Sequence, residues 1–165
     1  PSQSLAAAAD SAGDVDVHIL GDAIEGEARD VARAHADLAL QTQRRGLQRP
    51  AVILSGGECT VTRTGTGIGG PNAEYVLAAA LALDGTTGIH VLAADTDGVD
   101  GADEIAGAYA GPNTLTAARA LGIDALDALK NNDAHSFFKS LGTQLITGPT
   151  LTNVNDFRAI LVHKA

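Results

Sequence analysis

At 165 residues the chain can bury one good core, or one domain with part of another. Apolar residues make up 45% and aromatics 3%, so the core is built from Ala, Val, Leu and Ile, with few rings to stack on bases. A formal charge of −9 lacks the basic footprint that nucleic acid or an anionic membrane surface requires, and the expected partners include neither.

Residues 1–14, PSQSLAAAADSAGD, read as a flexible lead-in of small residues. The sequence contains no Met and opens on Pro1, which predicts a piece of a longer chain. Val15, Val17, Ile19 and Leu20 predict a short strand ended by Gly21-Asp22. From Ile24 to Arg45 an amphipathic helix is expected, since Ile24, Ala28, Val31, His35 and Leu38 recur at helical spacing. Its acids lie early and Arg44 and Arg45 late, matching the helix dipole, and Gly46 is a candidate for the left-handed residue past its end. His35 falls on the apolar face and reads as a packed, hydrogen-bonded side chain.

The block from residue 51 to 83 organises the rest. Val52, Ile53 and Leu54 predict a buried strand, and Ser55-Gly56-Gly57-Glu58 a turn. Thr60, Val61, Thr62 and Thr64 predict a second strand with one wet face. Gly65, Gly67, Gly69 and Gly70 form a loop, and Pro71 begins a helix over 72–83 that is apolar on most sides. That helix start predicts bare amides, a ready place for phosphate or carboxylate. Cys59, the single cysteine, excludes internal disulfides and thiolate zinc clusters, and reads as a packed thiol.

Ile89 to Ala93 predicts a further strand, and strand–helix–strand order predicts a crossover with parallel pairs. Asn113, Asp124 and Asp133 are candidate caps for helices over 114–121, 125–130 and 134–141, with Gly122 and Gly142 closing the first and third. Leu145-Ile146 is a strand stub, and Phe157 to Val162 the last strand. Together these predict an α/β chain, a layered α/β/α domain with a mixed, partly parallel sheet. No run approaches the ~20 apolar residues of a spanning helix and no charged n-region with an apolar h-region marks a signal peptide, so a cytoplasmic location is expected.

Four polar clusters follow or flank strands: SGGE (55–58), GTGIGGPN (65–72), DTDGVDG (95–101) and TGPTLTN (147–153). In open α/β sheets such loops converge beyond the strand ends. They call for an anionic ligand held by amides and hydroxyls, with carboxylates for a metal or a proton. Gly65-x-Gly67-x-x-Gly70 spells the dinucleotide fingerprint, with Asp84 or Asp95 as its later acid, yet the preceding stretch alternates Thr with apolar residues, and a tight structural turn explains the glycines equally. Asp95, Asp97, Asp100 and Asp103 start like a calcium loop but fail its pattern at Val99, Asp100 and Ala106. They read as solvated turn aspartates or as a partial Mg²⁺ site. No GxxxxGK[ST] run is present, and no His pairs with a Ser and an acid.

ILSGGECTVT, GTGIGGPNAE, DTDGVDG, NND (131–133) and TGPTLTNVND, in this order, resemble the C-terminal MOFRL domain of the glycerate kinase family related to the tartrate-utilisation protein TtuD. The resemblance runs from about residue 18 to the end. It implies residues 50–165 as the MOFRL-like domain, 15–49 as a segment leading from an N-terminal domain, and an active site in the cleft between the two. The implied reaction is phosphoryl transfer from ATP, with Mg²⁺, to the 2-hydroxyl of glycerate. The fragment alone is then expected to be inactive, and a homodimer is compatible with the family. Some relatives carry the name hydroxypyruvate reductase, which implies NAD(P)H instead, and a non-catalytic ligand-binding domain is a third reading.

The resemblance assigns roles residue by residue. Amides of Gly56, Gly57, Gly67, Gly69 and Gly70, with the helix start at Asn72, would cradle phosphate or the glycerate carboxylate. Ser55, Thr150 and Thr152 would donate hydroxyl hydrogen bonds and Asn153 an amide. Glu58 and Asp97 are the expected catalytic acids, with Asp97 and Asp100 as metal ligands, while Glu74 and Asp133 fix loops or cap helices. The family's loop commonly reads GKGRGGRNQE, whereas Thr66, Ile68, Pro71 and Ala73 stand here in place of Lys, two Arg and Gln. Either Arg63, Mg²⁺ or a basic residue of the N-terminal domain compensates, or the chain is a slow or repurposed member of the family.

Overall fold

The computed structural model describes residues 2–101 and 104–165, so Asp103 of the acidic loop lies outside the described residues. Six strands form one sheet in the order β1-β2-β6-β3-β4-β5: β1 Asp16–Glu27, β2 Ala51–Thr60, β3 Ile89–Asp95, β4 Gly107–Ala110, β5 Gln144–Leu145 and β6 Asp156–Val162. Among the described residues only β1 and β2 pair in parallel; the other neighbours are antiparallel. The crossover from β2 to β3 does run them the same way, but β6 is inserted between them, so the expected parallel contact there is not made.

Helix α2, Ala28–Arg44, buries Ala28, Ala32, His35, Ala36 and Ala39 on the stripe its spacing predicts. It starts four residues later than expected because β1 does not stop at Gly21-Asp22. The strand continues to Glu27 with register shifts at Gly21 and Ile24. Arg45 caps its end, and Gly46 follows with φ +82° in the predicted left-handed position. Helix α3, Pro71–Ala82, is the central column: every residue from Asn72 to Ala80 is buried. It packs on α2, β3 and β4, with α5, Ala125–Lys130, and α6, Ala134–Leu141, beside it. Helix α4, Thr114–Ala120, lies against α6.

The lead-in is ordered, against expectation: α1, Ser2–Ser11, is helical and sets Leu5 against Val52 and Leu54 on the opposite sheet face. Ser55-Gly56-Gly57-Glu58 is not a turn but the interior of a continuous β2. Gly57, at φ +117°, is required there, because a Cβ would stand 2.3 Å from the Ile24 backbone of the bulged β1. The predicted Thr-rich strand stops at Thr60; residues 61–70 form a loop without strand pairing. β4 went unrecognised in the sequence, since GAYA is too short to show a period. Asp124 caps α5 as predicted, accepting from Leu126 and Asp127 amides at 2.8 and 3.0 Å, and Gly122 and Gly142 adopt left-handed conformations. Asn113 and Asp133 make no side-chain cap on their own helices. No helix among the described residues is long and apolar enough to cross a membrane.

Candidate functional site

β1, β2 and β3 run in one direction and β6 against them, so the ends of β2 and β3 meet the start of β6. Gly57 and Asp95 both stand opposite Asp156. Gly107 of β4 is opposite Ala94 and Leu145 of β5 is opposite Gly107, which brings the segment after β5 to the same end. The four polar clusters therefore share one end of the sheet.

Two of them interlock. Thr150 donates its amide to Asp97 O at 3.1 Å and its hydroxyl to Thr96 O. Asn153 Nδ2 points to Asp97 Oδ2 at 3.4 Å, and Gly98 packs so closely on Gly148 O that a Cβ would come within 2.3 Å. Asp97 Oδ1 accepts from Val99 N at 2.8 Å, and Asp95 Oδ1 accepts from Asp97 N at 3.0 Å. Burial pushes the Asp95 carboxyl up, and the negative charges of Asp97 and Asp156 push the same way. Thr152 is exposed, its amide on Thr150 Oγ1 at 3.3 Å.

The glycine loop is used otherwise than predicted. Its amides are largely consumed within the protein. Thr64 N and Gly65 N donate to Asn132 Oδ1, both at 2.9 Å. Thr66 N goes to Asn131 Oδ1 at 3.1 Å, Gly67 N to Asn131 O at 2.9 Å, and Ile68 N to Asp133 Oδ1 at 2.8 Å. Cβ atoms at Gly65 and Gly67 would fall 2.3 Å from Asn131 and Asp133, so these glycines exist for close packing on the α5–α6 junction. Among the described residues only the amides of Gly69 and Gly70 in that run have no protein acceptor.

The start of α3 is likewise filled. Asp100, 1% exposed, accepts the Asn72 amide at 2.9 Å on Oδ1 and the Ala73 amide at 2.8 Å on Oδ2. Burial pushes its carboxyl up to about 6, against the pull of those amides and of His135. His135 Nε2 sits 3.0 Å from Asp100 O and 3.5 Å from Oδ2. With both oxygens held by amides in the interior, Asp100 is a helix cap rather than an open metal ligand.

A buried network missed in the sequence lies beneath. Asn72 Nδ2 donates to Asp156 Oδ1 at 2.6 Å, and Arg158 pairs with Asp156 Oδ2. The Arg158 guanidinium also donates to Gly56 O at 3.3 Å and lies 5.5 Å from the Tyr75 ring centre. Tyr75 Oη and His35 Nδ1 are 2.8 Å apart. Burial first, then the Arg158 charge, lowers the His35 pKa to about 4, so a neutral imidazole shares the hydrogen bond with the Tyr75 hydroxyl. Glu74 receives Arg29 Nε at 2.6 Å and Asn132 Nδ2 at 3.0 Å, which ties α2, α3 and the NND segment together. The signal was present: in the alternating β6, Asp156 and Arg158 share the buried face with Ile160 and Val162.

Ser55 is 2% exposed within β2 between Gly21 and Arg158, and Gly56 and Gly57 lie within the sheet beside β6. Cys59 packs in the core with α3, and burial raises its pKa. Its neighbour Glu58 is exposed and, by strand alternation, faces the α1 side, away from Asn72 and Asp156. The structure therefore joins Asp97, Thr150 and Asn153, joins Asn72 to Asp100, and leaves Glu58 on the other face.

No three His, Cys, Asp or Glu side chains converge among the described residues. Asp95 and Asp97 form a two-carboxylate set, which suits Mg²⁺ when phosphate oxygens and water supply its other ligands.

The MOFRL family model matches residues 51–156. A protein of Agrobacterium vitis named "Putative hydroxypyruvate reductase" is 49% identical over 98% of this chain and 38% of its own length. The D-glycerate 2-kinase of Thermotoga maritima is 41% identical over 84% of this chain and 34% of its own. The crystal structure of a glycerate kinase from Thermotoga maritima superposes with a TM-score of 0.90 at 36% identity, covering 98% of this chain and 39% of that one. The chain thus spans well under half the length of the relatives it matches. Its matched residues include both interlocked loops and the α3 start, and the chain belongs to the MOFRL family.

Proposed function

We propose that this chain is the C-terminal part of a cytoplasmic glycerate kinase, with its active site shared with an N-terminal domain. The observation that carries the reading is the junction of the two loops, where Asn153 and Thr150 hold Asp97 at the end of the sheet. In the transfer, the glycerate 2-hydroxyl oxygen forms a bond to the γ-phosphorus of ATP, the bond from that phosphorus to the β–γ bridging oxygen breaks, and ADP leaves. Asp97 orients the hydroxyl and receives its proton, a role that needs a carboxylate within hydrogen-bond reach. Asp97, beside Asp95, would hold Mg²⁺, which supplies positive charge against the developing phosphoryl oxygens. Thr152 and Asn153 offer hydroxyl and amide groups at the same junction, and the Gly69 and Gly70 amides remain for an anion. Relatives named glycerate kinase support the substrate pair.

Relatives with the reductase name favour a second reading, NAD(P)H-dependent reduction of hydroxypyruvate. Against it, the glycines of the apparent fingerprint are accounted for by close packing, Gly65 and Gly67 on residues 131–133 and Gly70 on Asp100.

The test is a coupled assay of the longer protein that this proposal entails, with glycerate, ATP and Mg²⁺. Glycerate-dependent ADP release, lost with EDTA and reduced at least 100-fold in Asp97→Asn, is the expected result. Oxidation of NADH or NADPH by hydroxypyruvate without ADP release would transfer the case to the reductase. Ligand binding without turnover in either assay would leave a non-catalytic binding domain.

A further inference from the structure

We propose that Arg63 is the cation that receives a phosphate group at the glycine loop, replacing in function the basic side chains the loop itself lacks. This rests on the reading of that loop as an anion site in the function proposed above.

Between residues 61 and 74 Arg63 is the single basic side chain, because Thr66, Ile68, Pro71 and Ala73 are neutral. Arg63 is exposed, and its guanidinium turns back over the loop to donate Nη2–H to Gly67 O at 2.5 Å. One contact anchors the group while most of its five N–H donors stay available. Arg29, Arg33, Arg49, Arg119 and Arg158 each hold a carboxylate. Arg63 has none within ion-pair distance among the described residues. Arg44 and Arg45 are also without one, but they lie at the far end of α2, beside the start of β2.

The acids around the loop do not compete for it. Asp133 Oδ1 accepts from Ile68 N, Asp100 from the α3 amides, Glu74 from Arg29 and Asn132, and Glu27 from the amide and hydroxyl of Thr62. Two residues past the carbonyl that Arg63 holds stand Gly69 and Gly70, whose amides are the two left over in the loop. A guanidinium held over the loop at Gly67 O, two residues before the Gly69 and Gly70 amides and paired with no carboxylate, suits the oxygens of a phosphate group, which the guanidinium fork binds in pairs. The shared chemistry covers the polyphosphate of a nucleotide and a phosphate monoester of a hydroxy acid.

The test uses this 165-residue chain with tripolyphosphate and, separately, 2-phosphoglycerate as probes, by calorimetry and by ¹⁵N-resolved NMR of the Gly69 and Gly70 amides. Arg63→Gln is expected to weaken binding of the preferred probe at least 10-fold and to abolish the two amide shifts. Arg63→Lys recovers part of the affinity, and Arg44→Gln changes nothing. The preferred probe tells the nucleotide from the product as the source. Binding by Arg63→Gln equal to the parent, no binding by the parent, or equal loss in Arg44→Gln would each overturn the inference. Should binding follow Arg63 while the longer protein releases no ADP from glycerate, the inference stands and the kinase reading falls. Should Arg63→Gln in the longer protein keep its KM for ATP and glycerate, the inference falls and the kinase reading stands.

Discussion

Asp100 closes the start of α3 by binding Asn72 twice, through its backbone amide at 2.9 Å and its side-chain amide at 3.3 Å, both on Oδ1. Helix starts are usually capped by the residue just before them; here the cap comes from 28 residues further along the chain. It draws the acidic loop onto the glycine loop, where Gly70 has no room for a Cβ, which would lie 2.4 Å from the Asp100 carboxyl carbon. Asp100→Ala leaves the buried Asn72 and Ala73 amides without their acceptor, while His135 keeps the backbone carbonyl of residue 100. A loss of about 2–4 kcal/mol is expected. Urea unfolding measures it, and Asp100→Asn, which keeps one acceptor oxygen, should recover part.

Asn132 joins three segments: Oδ1 accepts from Thr64 and Gly65, and Nδ2 donates to Glu74 at 3.0 Å. Asn132→Asp preserves the acceptor but turns a donor into a carboxylate facing Glu74. Asn132→Ala removes both. Each should cost about 2–3 kcal/mol. Faster amide hydrogen exchange at Thr64 and Gly65 should appear in Asn132→Ala but not in Asn132→Asp.

Gly57 and Gly21 both lie at positive φ, +117° and +135°, but only Gly57 faces backbone within 4 Å. Alanine at either position carries the conformational strain of about 1–2 kcal/mol. At Gly57 the collision with Ile24 adds about 1–3 kcal/mol or more. Urea midpoints of the two variants should therefore differ clearly, with Gly57→Ala the less stable; equal midpoints would mean that β1 can move away.

His35 gives stability a definite pH dependence. Its pKa falls from 6.5 to about 4 on folding, so between those values the unfolded chain holds a proton that the folded protein refuses. Its contribution is complete above pH 6.5 and is lost as pH falls towards 4, by about 3 kcal/mol at most. Asp100 acts in the opposite sense. Its carboxyl is raised to about 6, so the folded state takes up a proton first and gains stability as pH falls from 6 to 3.8. Comparing the parent with His35→Gln isolates the first effect. The variant should lose the acid-side decline, which urea midpoints from pH 7 to 4 would reveal.

The sequence carried most of the scaffold. Ala28, His35 and Ala39 repeat at helical spacing, Pro71 opens α3, and Gly46, Gly122 and Gly142 end helices, because each signal acts within a turn or two of chain. It also placed the polar clusters at one end of a sheet. Ser55 to Glu58 misled because two glycines look alike in a turn and in a strand squeezed by a neighbour, and that neighbour, Ile24, lies more than thirty residues away. The lead-in misled because Leu5 has value only once Val52 and Leu54 stand beneath it.

What the sequence determined by itself was therefore helices α2 to α6, strands β1, β2, β3 and β6 in outline, and the residues with chemistry to offer. Only the tertiary structure decided which of those residues are spent. Asp100, Asp133 and Asn132 satisfy the amides of the glycine loop and of α3, since a buried amide without a partner costs more than a nearby carboxylate or carboxamide costs to supply. Among the described residues, Arg63, which meets no carboxylate, and the Gly69 and Gly70 amides are what that internal pairing leaves over.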